Sequence, residues 1–241
     1  MLLQHRSQHL RLIQQHDHGT LTGELAQAWP TPLPFPTLLA IALHDLPWMS
    51  PDALPELNPN TKQPYSFVDY PRTERLVLYK HGLDQLADLH PYVGTLVSLH
   101  YATFQGMSHA EIFQKHEEHR RARLIERFCY EAEQLQHDLA WLKALDLLSL
   151  YICLTPPHAQ PQSRPSWLLP NATLTPPSGP PVMLDWVDEH RLKLTPCPWG
   201  GTLSTAIPYL ELEGDCWETQ EALQDAISRG EHGVWHVEIG V

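Results

Sequence analysis

Prolines divide this chain into segments that can form helices and segments that cannot, because proline lacks the amide hydrogen and restricts the residue before it. Apolar residues recur every four positions from Leu21 to Trp29, which is the spacing of one helix face. A proline-rich joint at 30–36 ends this helix, and Pro36 can begin the next one over the apolar run TLLAIALHD. Pro47 must end that second helix. The sequence therefore predicts two short helices in the first fifty residues.

Helical periodicity covers most of the first 154 residues. We predict helices over 72–90 and 91–105, followed by a long amphipathic stretch that ends near Leu154 and contains one break. The first 15 residues alternate weakly between apolar and polar, which indicates a short strand or hairpin. Residues 46–71 hold six prolines, and a loop of this length inside a compact domain is typical of a functional cover.

The composition changes at Thr155. Residues 155–181 are rich in proline and lack periodicity, which predicts a linker or an extended covering segment. Beyond it, the runs VMLDWV, RLKLTP and GVWHVEIGV are typical of strands, with one helix over 218–229. The fold class we predict is mainly α (α+β overall), with a helical core and short N-terminal strands in 1–154 and a small β-rich region in 182–241 that packs on the core.

The charge of the chain excludes some classes of partner. A formal charge of -12 without a Lys/Arg-rich run argues against binding to a nucleic-acid backbone or to an acidic membrane surface. The four cysteines are scattered and form no CxxC pair, so we interpret them as reduced packing residues. No signal peptide or membrane-spanning apolar run is recognisable, and we therefore expect a soluble, cytoplasmic protein.

Five histidines and aspartates lie at positions that helices could bring together: His18, His44, Asp45, His100 and Asp146. Each lies on or beside an apolar helix face, and a buried carboxylate is costly unless it has a partner. Imidazole nitrogens and carboxylate oxygens together suit Zn, Fe, Mn or Mg, so we interpret these residues as ligands of one or two divalent ions. The alternative is a hydrogen-bonded polar cluster in the core.

Other polar residues are candidates for parts of the same site. His16, two residues before His18, is an alternative first ligand. His81 could be an additional ligand or a base, and Asp69 could either cap the next helix or reach the site. The residues that we predict to contact substrate lie in or near the long loop: Arg72, Arg75, Trp48 and Asp69. The two arginines could hold a phosphate through paired hydrogen bonds.

A resemblance to a known family covers most of the chain. Its segments are QHDHGTLTGELAQAW, LLAIALHD, NPNTKQPYSFVDYP, LVSLHY, LDLLSLYICL and the later PCPWGG. Together they resemble the DUF3891 family. More broadly, the order His, His-Asp, Asp resembles the HD-domain superfamily, whose members bind one or two metal ions in a helical bundle.

The resemblance implies an HD-like helical bundle and a metal-dependent phosphohydrolase. In the HD pattern the ligands match His18, His44, Asp45 and Asp146, and His100 matches a second-metal ligand or a catalytic histidine. The leading hypothesis is a hydrolase of a phosphate ester or nucleotide-like small molecule, in which Asp45 orients the nucleophile.

The roles of the remaining groups follow from that hypothesis, and two alternatives stay open. Either His100 or His81 would act as general acid or as a second-metal ligand. One alternative is a di-iron oxygenase in which these two histidines complete two sites. The other is a non-catalytic binding or oligomerisation protein, and a homodimer is compatible with any of the three.

Overall fold

The computed structural model describes residues 1–6, 8–104, 110–155, 157 and 165–240. The helices are α1 Gln15–Ala28, α2 Phe35–Leu43, α3 Met49–Ala53, α4 Arg72–Leu89, α5 Pro91–Ala102, α6 Glu111–Phe128, α7 Ala132–Leu154 and α8 Gln220–Arg229. The strands are β1 Leu2–Arg6, β2 His9–Ile13, β3 Thr173–Leu174, β4 Val182–Asp188, β5 Arg191–Thr195, β6 Leu203–Glu213 and β7 Glu231–Ile239. A 3-10 turn over Leu46–Trp48 follows α2.

All seven strands belong to one sheet, in the order β1-β2-β6-β7-β5-β4-β3. Neighbouring strands are antiparallel except β5 and β7, which are parallel. The strands near the C-terminus alternate buried and exposed residues, as in β5 and β7, because one face of the sheet packs against the core and the other faces solvent. The sheet curls into a half-barrel.

The prediction of a mainly α, HD-like helical bundle is wrong. Helical conformation accounts for 51% of the structure and strands for 21%, in one mixed sheet rather than in a small appendage. The link that the sequence pattern does not reveal is β6, whose end pairs with β2 at Leu10↔Leu212 and so joins the N-terminal hairpin to the C-terminal strands. Local periodicity carries no information on such distant pairing.

Pro208 explains why β6 is hard to recognise, since proline in a strand argues against a central position. β7 pairs along all of β6, but β2 pairs with β6 only at residues 210–212. Among the described strands, one edge of β6 therefore has no partner at Pro208, where a missing N–H can be accommodated.

The predicted helices are present with nearly the expected ends. α4 begins at Arg72 and α5 at Pro91, as the sequence predicts, while the predicted end at Gln105 lies outside the described residues. The break in the long amphipathic stretch lies at Cys129, which ends α6 with a left-handed backbone (φ 52°). Among the described residues, no helix is both long enough and apolar enough to cross a membrane.

Two glycines let α1 approach α2 closely. A Cβ atom on Gly19 would lie 2.9 Å from the carbonyl oxygen of Ala42, and one on Gly23 would lie 2.8 Å from the Cβ of Ala42. Real Cβ atoms do not approach so closely, so larger residues would push the helices apart. This contact holds His18 of α1 beside His44 at the end of α2.

Candidate metal centre

Four helical elements bring the five predicted ligands together. His18 lies in the first turn of α1, His44 caps the C-terminus of α2 with Asp45 beside it, His100 lies in the last turn of α5, and Asp146 lies within α7. All five are buried, with His18 fully so and Asp146 the most exposed at 9%. Residues separated by up to 128 positions in the sequence therefore form one cluster.

The ligand atoms converge, and only His18 Nε2 and Asp45 Oδ2 lie at an ordinary hydrogen-bond distance among the five pairs that follow. His18 Nε2 lies 3.1 Å from Asp45 Oδ2 and 3.5 Å from Asp146 Oδ1. His44 Nε2 lies 3.6 Å from Asp45 Oδ2 and 3.4 Å from Asp146 Oδ1. His100 Nε2 lies 3.5 Å from the other oxygen of Asp146, Oδ2. Four of these five separations exceed the usual N–H···O range of about 2.7–3.2 Å.

The separations fit atoms that share an ion. Two ligands each about 2.1 Å from a metal lie about 3.0 Å apart at an octahedral angle and about 3.4 Å apart at a tetrahedral angle. The distances of 3.1–3.6 Å overlap that range and exceed it by at most about 0.2 Å. The ligand atoms form two overlapping groups, His18-His44-Asp45 and His44-His100-Asp146, and within each group they lie within 4.8 Å of one another. The cluster could therefore hold a metal ion.

The hydrogen bond of His44 fixes which nitrogen faces the cluster. Its Nδ1 lies 2.7 Å from the carbonyl oxygen of Ile41, which can only accept, so Nδ1 carries the proton. Nε2 of His44 is buried and has no hydrogen-bond partner among the described residues. Tyr101 holds the same segment by donating its hydroxyl to the His44 carbonyl at 2.8 Å. A ligand histidine typically has its second nitrogen held in this way.

His18 and His100 differ in the hydrogen bonds that hold their rings. His18 Nδ1 lies 2.7 Å from the hydroxyl of Ser149 on α7. Within the described part of the chain, neither ring nitrogen of His100 has a hydrogen-bond partner, although the side chain is almost fully buried. An unpaired buried polar group costs about 1–3 kcal/mol. A metal ion would satisfy Nε2 of this residue.

The histidines of the cluster keep both of its carboxylates ionised. Burial acts to raise the pKa of Asp146, but the neighbouring His44, His100 and His18 outweigh it and lower the pKa to about 2. The pKa of Asp45 is likewise lowered by His44 and His18 against the effect of burial. Two ionised carboxylates therefore lie in the interior, where unpaired charges are costly. A divalent ion that displaces the Nε2 proton of His44 would balance both charges.

The pKa values of His44 and His100 shift in opposite directions. Burial favours the neutral form of His44, but the charges of Asp45 and Asp146 outweigh it and raise the pKa to about 9. Burial lowers the pKa of His100 to about 4, with only partial compensation by Asp146. His100 is therefore neutral at pH 7, which is the form that binds a metal. The mixed nitrogen and oxygen donors suit Mn, Fe or Zn better than Mg, which prefers oxygen ligands.

The structure separates the other candidates from the cluster. His16 is partly exposed and lies 3.4 Å from Asp17, so His18 rather than His16 is the histidine of α1 in the centre. His81 is exposed on α4 and is not among the converging residues. Trp48 is 1% exposed and packs edge-on against Tyr70 and Tyr79, which leaves no open face for a substrate.

The remaining three candidates lie around the start of α4. Asp69 is exposed and accepts hydrogen bonds from Asn58 at 2.6 Å and from the amide and hydroxyl of Ser66 at 2.7 Å, so it organises its own loop. Arg75 is half-buried and donates to the Phe67 carbonyl at 3.3 Å. Arg72 is exposed. None of the three is among the converging ligands, and their contact with a substrate stays a prediction.

Two supporting residues were not identified from the sequence. Tyr101 holds the carbonyl of His44, and Thr22 contacts Ser149 through its hydroxyl at 2.7 Å. The available signal was position: Thr22 lies one helical turn after His18, and Tyr101 is adjacent to His100. Neither residue type is distinctive enough to be chosen on that ground alone.

A separate cavity of about 340 Å³ lies near the opposite end of α1, lined by Trp29, Pro180 and Cys197 among others. Trp29 follows His18 by eleven residues, or about 16 Å along a helix. The cavity is therefore not part of the cluster.

Comparison with known proteins identifies a family for most of the chain. A family model described as a protein of unknown function (DUF3891) matches residues 1–213. No curated protein and no solved structure matches the chain.

Proposed function

Since the chain belongs to the DUF3891 family, whose description assigns no activity, we propose a function from its own residues: a metal-dependent hydrolase that acts on a phosphate ester or nucleotide-like small molecule. His18, His44, Asp45 and Asp146 would hold the ion, and His100 would be a further ligand. The order of these ligands along the chain resembles that of the HD superfamily, although the sheet distinguishes this fold from a helical bundle.

The observation that supports this proposal is the convergence of three imidazoles and two carboxylates in the interior, where several ring nitrogens have no hydrogen-bond partner within the described residues. His44 Nε2 and both nitrogens of His100 are buried without partners in the described chain. A purely structural hydrogen-bond network would pair such groups, because each unpaired one lowers stability. A shared cation would satisfy His44 Nε2 and His100 Nε2 together.

The chemistry would divide between the ion and the side chains. A bound divalent ion lowers the pKa of water and polarises a phosphoryl oxygen. Asp45 would orient the attacking water. His100 is neutral at pH 7, because burial lowers its pKa to about 4, so it suits a ligand or a proton acceptor rather than a general acid.

The surroundings of Asp146 favour an anionic substrate. Asp146 is the most exposed of the five ligands, so substrate would approach from its side. The exposed Lys143 lies one turn earlier on α7 and is close enough for its charge to lower the pKa of His100. A flexible cation at this place could bind a phosphate group of the substrate.

A di-iron oxygenase is the second candidate, and one observation favours it. The two oxygens of Asp146 face different histidines: Oδ1 lies near His18 and His44, and Oδ2 lies 3.5 Å from His100. A carboxylate in this position could bridge two ions. Iron analysis of anaerobically purified protein, with electron paramagnetic resonance, distinguishes the candidates, because a mixed-valence signal is expected only for the oxygenase.

The test of metal binding is elemental analysis of protein purified without chelators. Wild-type protein should retain one or two divalent ions per chain. His44→Ala and Asp146→Ala should retain none, because each removes a side chain whose ligand atom lies close to at least two of the other ligand atoms. His232→Ala, which removes an exposed histidine of β7, is the matched control and should retain the ion.

The test of activity is a panel of phosphate esters and nucleotides assayed with the same proteins. Hydrolysis should require the metal and disappear in both ligand variants. The proposal would be refuted if wild-type protein purified without chelators contained no metal and hydrolysed no substrate of the panel. That result would favour a non-catalytic binding protein with a buried polar cluster.

A further inference from the structure

Ser149 lies at the meeting point of two elements that supply ligands. It is fully buried on α7, one turn after Asp146, and its hydroxyl lies 2.7 Å from His18 Nδ1 and 2.9 Å from the carbonyl oxygen of Asp146. Thr22, also fully buried, places its hydroxyl 2.7 Å from the same oxygen. The Ser149 oxygen therefore contacts the ring of one ligand and the backbone of another.

The partners of His44 and His18 differ in chemistry. The carbonyl that faces His44 Nδ1 can only accept a proton, whereas the hydroxyl that faces His18 Nδ1 can accept or donate. The tautomer of His18 therefore depends on the orientation of the Ser149 hydroxyl. If Nδ1 carries the proton, Nε2 offers a lone pair to the cluster. If Nε2 carries the proton, it points at Asp45 Oδ2, 3.1 Å away, and no ion can bind there.

We propose that Ser149 is a positioning residue that holds His18 in the metal-binding tautomer. The hydroxyl has one proton and two lone pairs. When it donates to the Asp146 carbonyl, one lone pair remains to accept from His18 Nδ1–H, and the other faces the Thr22 hydroxyl, whose single proton is shared between Ser149 at 2.7 Å and the His18 carbonyl at 2.8 Å. This arrangement uses all three contacts and fixes His18 Nε2 as a lone pair that faces Asp45 and Asp146. The inference rests on the proposed metal site.

The first experiment measures the affinity for Zn²⁺ alone by competition with a chelator. Ser149→Ala leaves the buried Nδ1–H of His18 without an acceptor and should weaken zinc binding about 10- to 100-fold, the usual effect of removing a residue that orients a ligand. Thr22→Val is the matched control, because it removes an equally buried hydroxyl that contacts Ser149 and the backbone carbonyl of His18 but not the His18 ring. It should weaken binding much less.

The second experiment needs no variant. In zinc-loaded wild-type protein with ¹⁵N-labelled histidine, long-range ¹H–¹⁵N correlation should show His18 protonated at Nδ1 and coordinated through Nε2, with the assignment made from a His18→Asn spectrum. Coordination through Nδ1 would overturn the proposal. So would equal zinc affinities of wild-type and Ser149→Ala proteins, or equal losses in Ser149→Ala and Thr22→Val.

The outcomes separate this inference from the proposed function. Zinc binding that depends on Ser149 without hydrolysis of any phosphate ester would refute the hydrolase and leave the role of Ser149 intact. Hydrolysis and zinc binding that are unaffected in Ser149→Ala would leave the hydrolase and overturn the role of Ser149. A wild-type protein that binds no zinc would overturn both.

Discussion

Metal binding should displace a proton from His44, so the apparent affinity should rise with pH. Asp45 and Asp146 raise the pKa of this residue to about 9 against the effect of burial. Since Nδ1 keeps its proton on the Ile41 carbonyl, the proton that leaves is the one on Nε2. At pH 7, about two units below the pKa, displacement weakens binding about 100-fold, or about 2.7 kcal/mol at 1.36 kcal/mol per unit.

The protonation states of Asp146 and His100 determine the pH range over which the metal affinity changes. Asp146, with a pKa of about 2, and His100, with a pKa of about 4, are already in their metal-binding forms at pH 7 and contribute no change. The dissociation constant should therefore fall about tenfold per pH unit from 7 to 9 and then level off.

The assay is chelator competition with Mn²⁺ at pH 7, 8 and 9, combined with titration calorimetry at pH 7 in buffers of different ionisation enthalpy. Calorimetry should report release of about one proton per ion from His44. The His232→Ala control should behave like wild-type protein. An affinity that stays constant from pH 7 to 9, without buffer dependence of the measured heat, would refute the reasoning that the carboxylates hold a proton on His44.

Two further predictions concern stability. In chelator-treated protein, the raised pKa of His44 contributes stability that is fully present below pH 6.5 and is lost as pH rises through about 9. The free energy of unfolding from urea titration should fall over this window by up to about 3 kcal/mol, and equal values at pH 6.5 and 9 would contradict the prediction. A Cβ on Gly82 of α4 would lie 2.3 Å from Pro47 Cγ and 2.9 Å from Pro47 Cα. Gly82→Ala should therefore destabilise the fold by about 1–3 kcal/mol. It should also weaken metal binding, because Pro47 follows Asp45 by two residues. Thermal melting checks this, with Gly201→Ala as a control that meets no atom within 4 Å; similar melting temperatures for the two variants would count against it.

The helices and their ends were the part of the fold that local sequence could predict. Pro91 begins α5 and the proline-rich joint separates α1 from α2, because proline acts on its own backbone and on that of its neighbour. The single sheet could not be predicted, because pairing between β2 and β6 joins residues about 200 positions apart. Periodicity within either strand does not encode its partner.

The candidate ligands could be predicted for a similar local reason. An inward-facing acid such as Asp146, on a helix face otherwise lined by leucines, requires a partner wherever the helix packs. The groups that orient the ligands could not be predicted, since Ser149 and Tyr101 matter only through contacts with other helices. The loop residues expected to bind substrate have no such internal requirement, and Asp69 proved to have partners within its own loop.

The placement of the ligands couples the ion to the fold as a whole. His18, His44, His100 and Asp146 come from four helices, so an ion bound by them would fix the packing of α1, α2, α5 and α7 together. Without a metal ion, the two buried carboxylates face one protonated histidine, and His100 has no hydrogen-bond partner within the described residues, which lowers the stability of these same contacts. A ligand that binds only the folded state stabilises it in proportion to the logarithm of its concentration. Metal occupancy and folding of the helical layer should therefore rise and fall together.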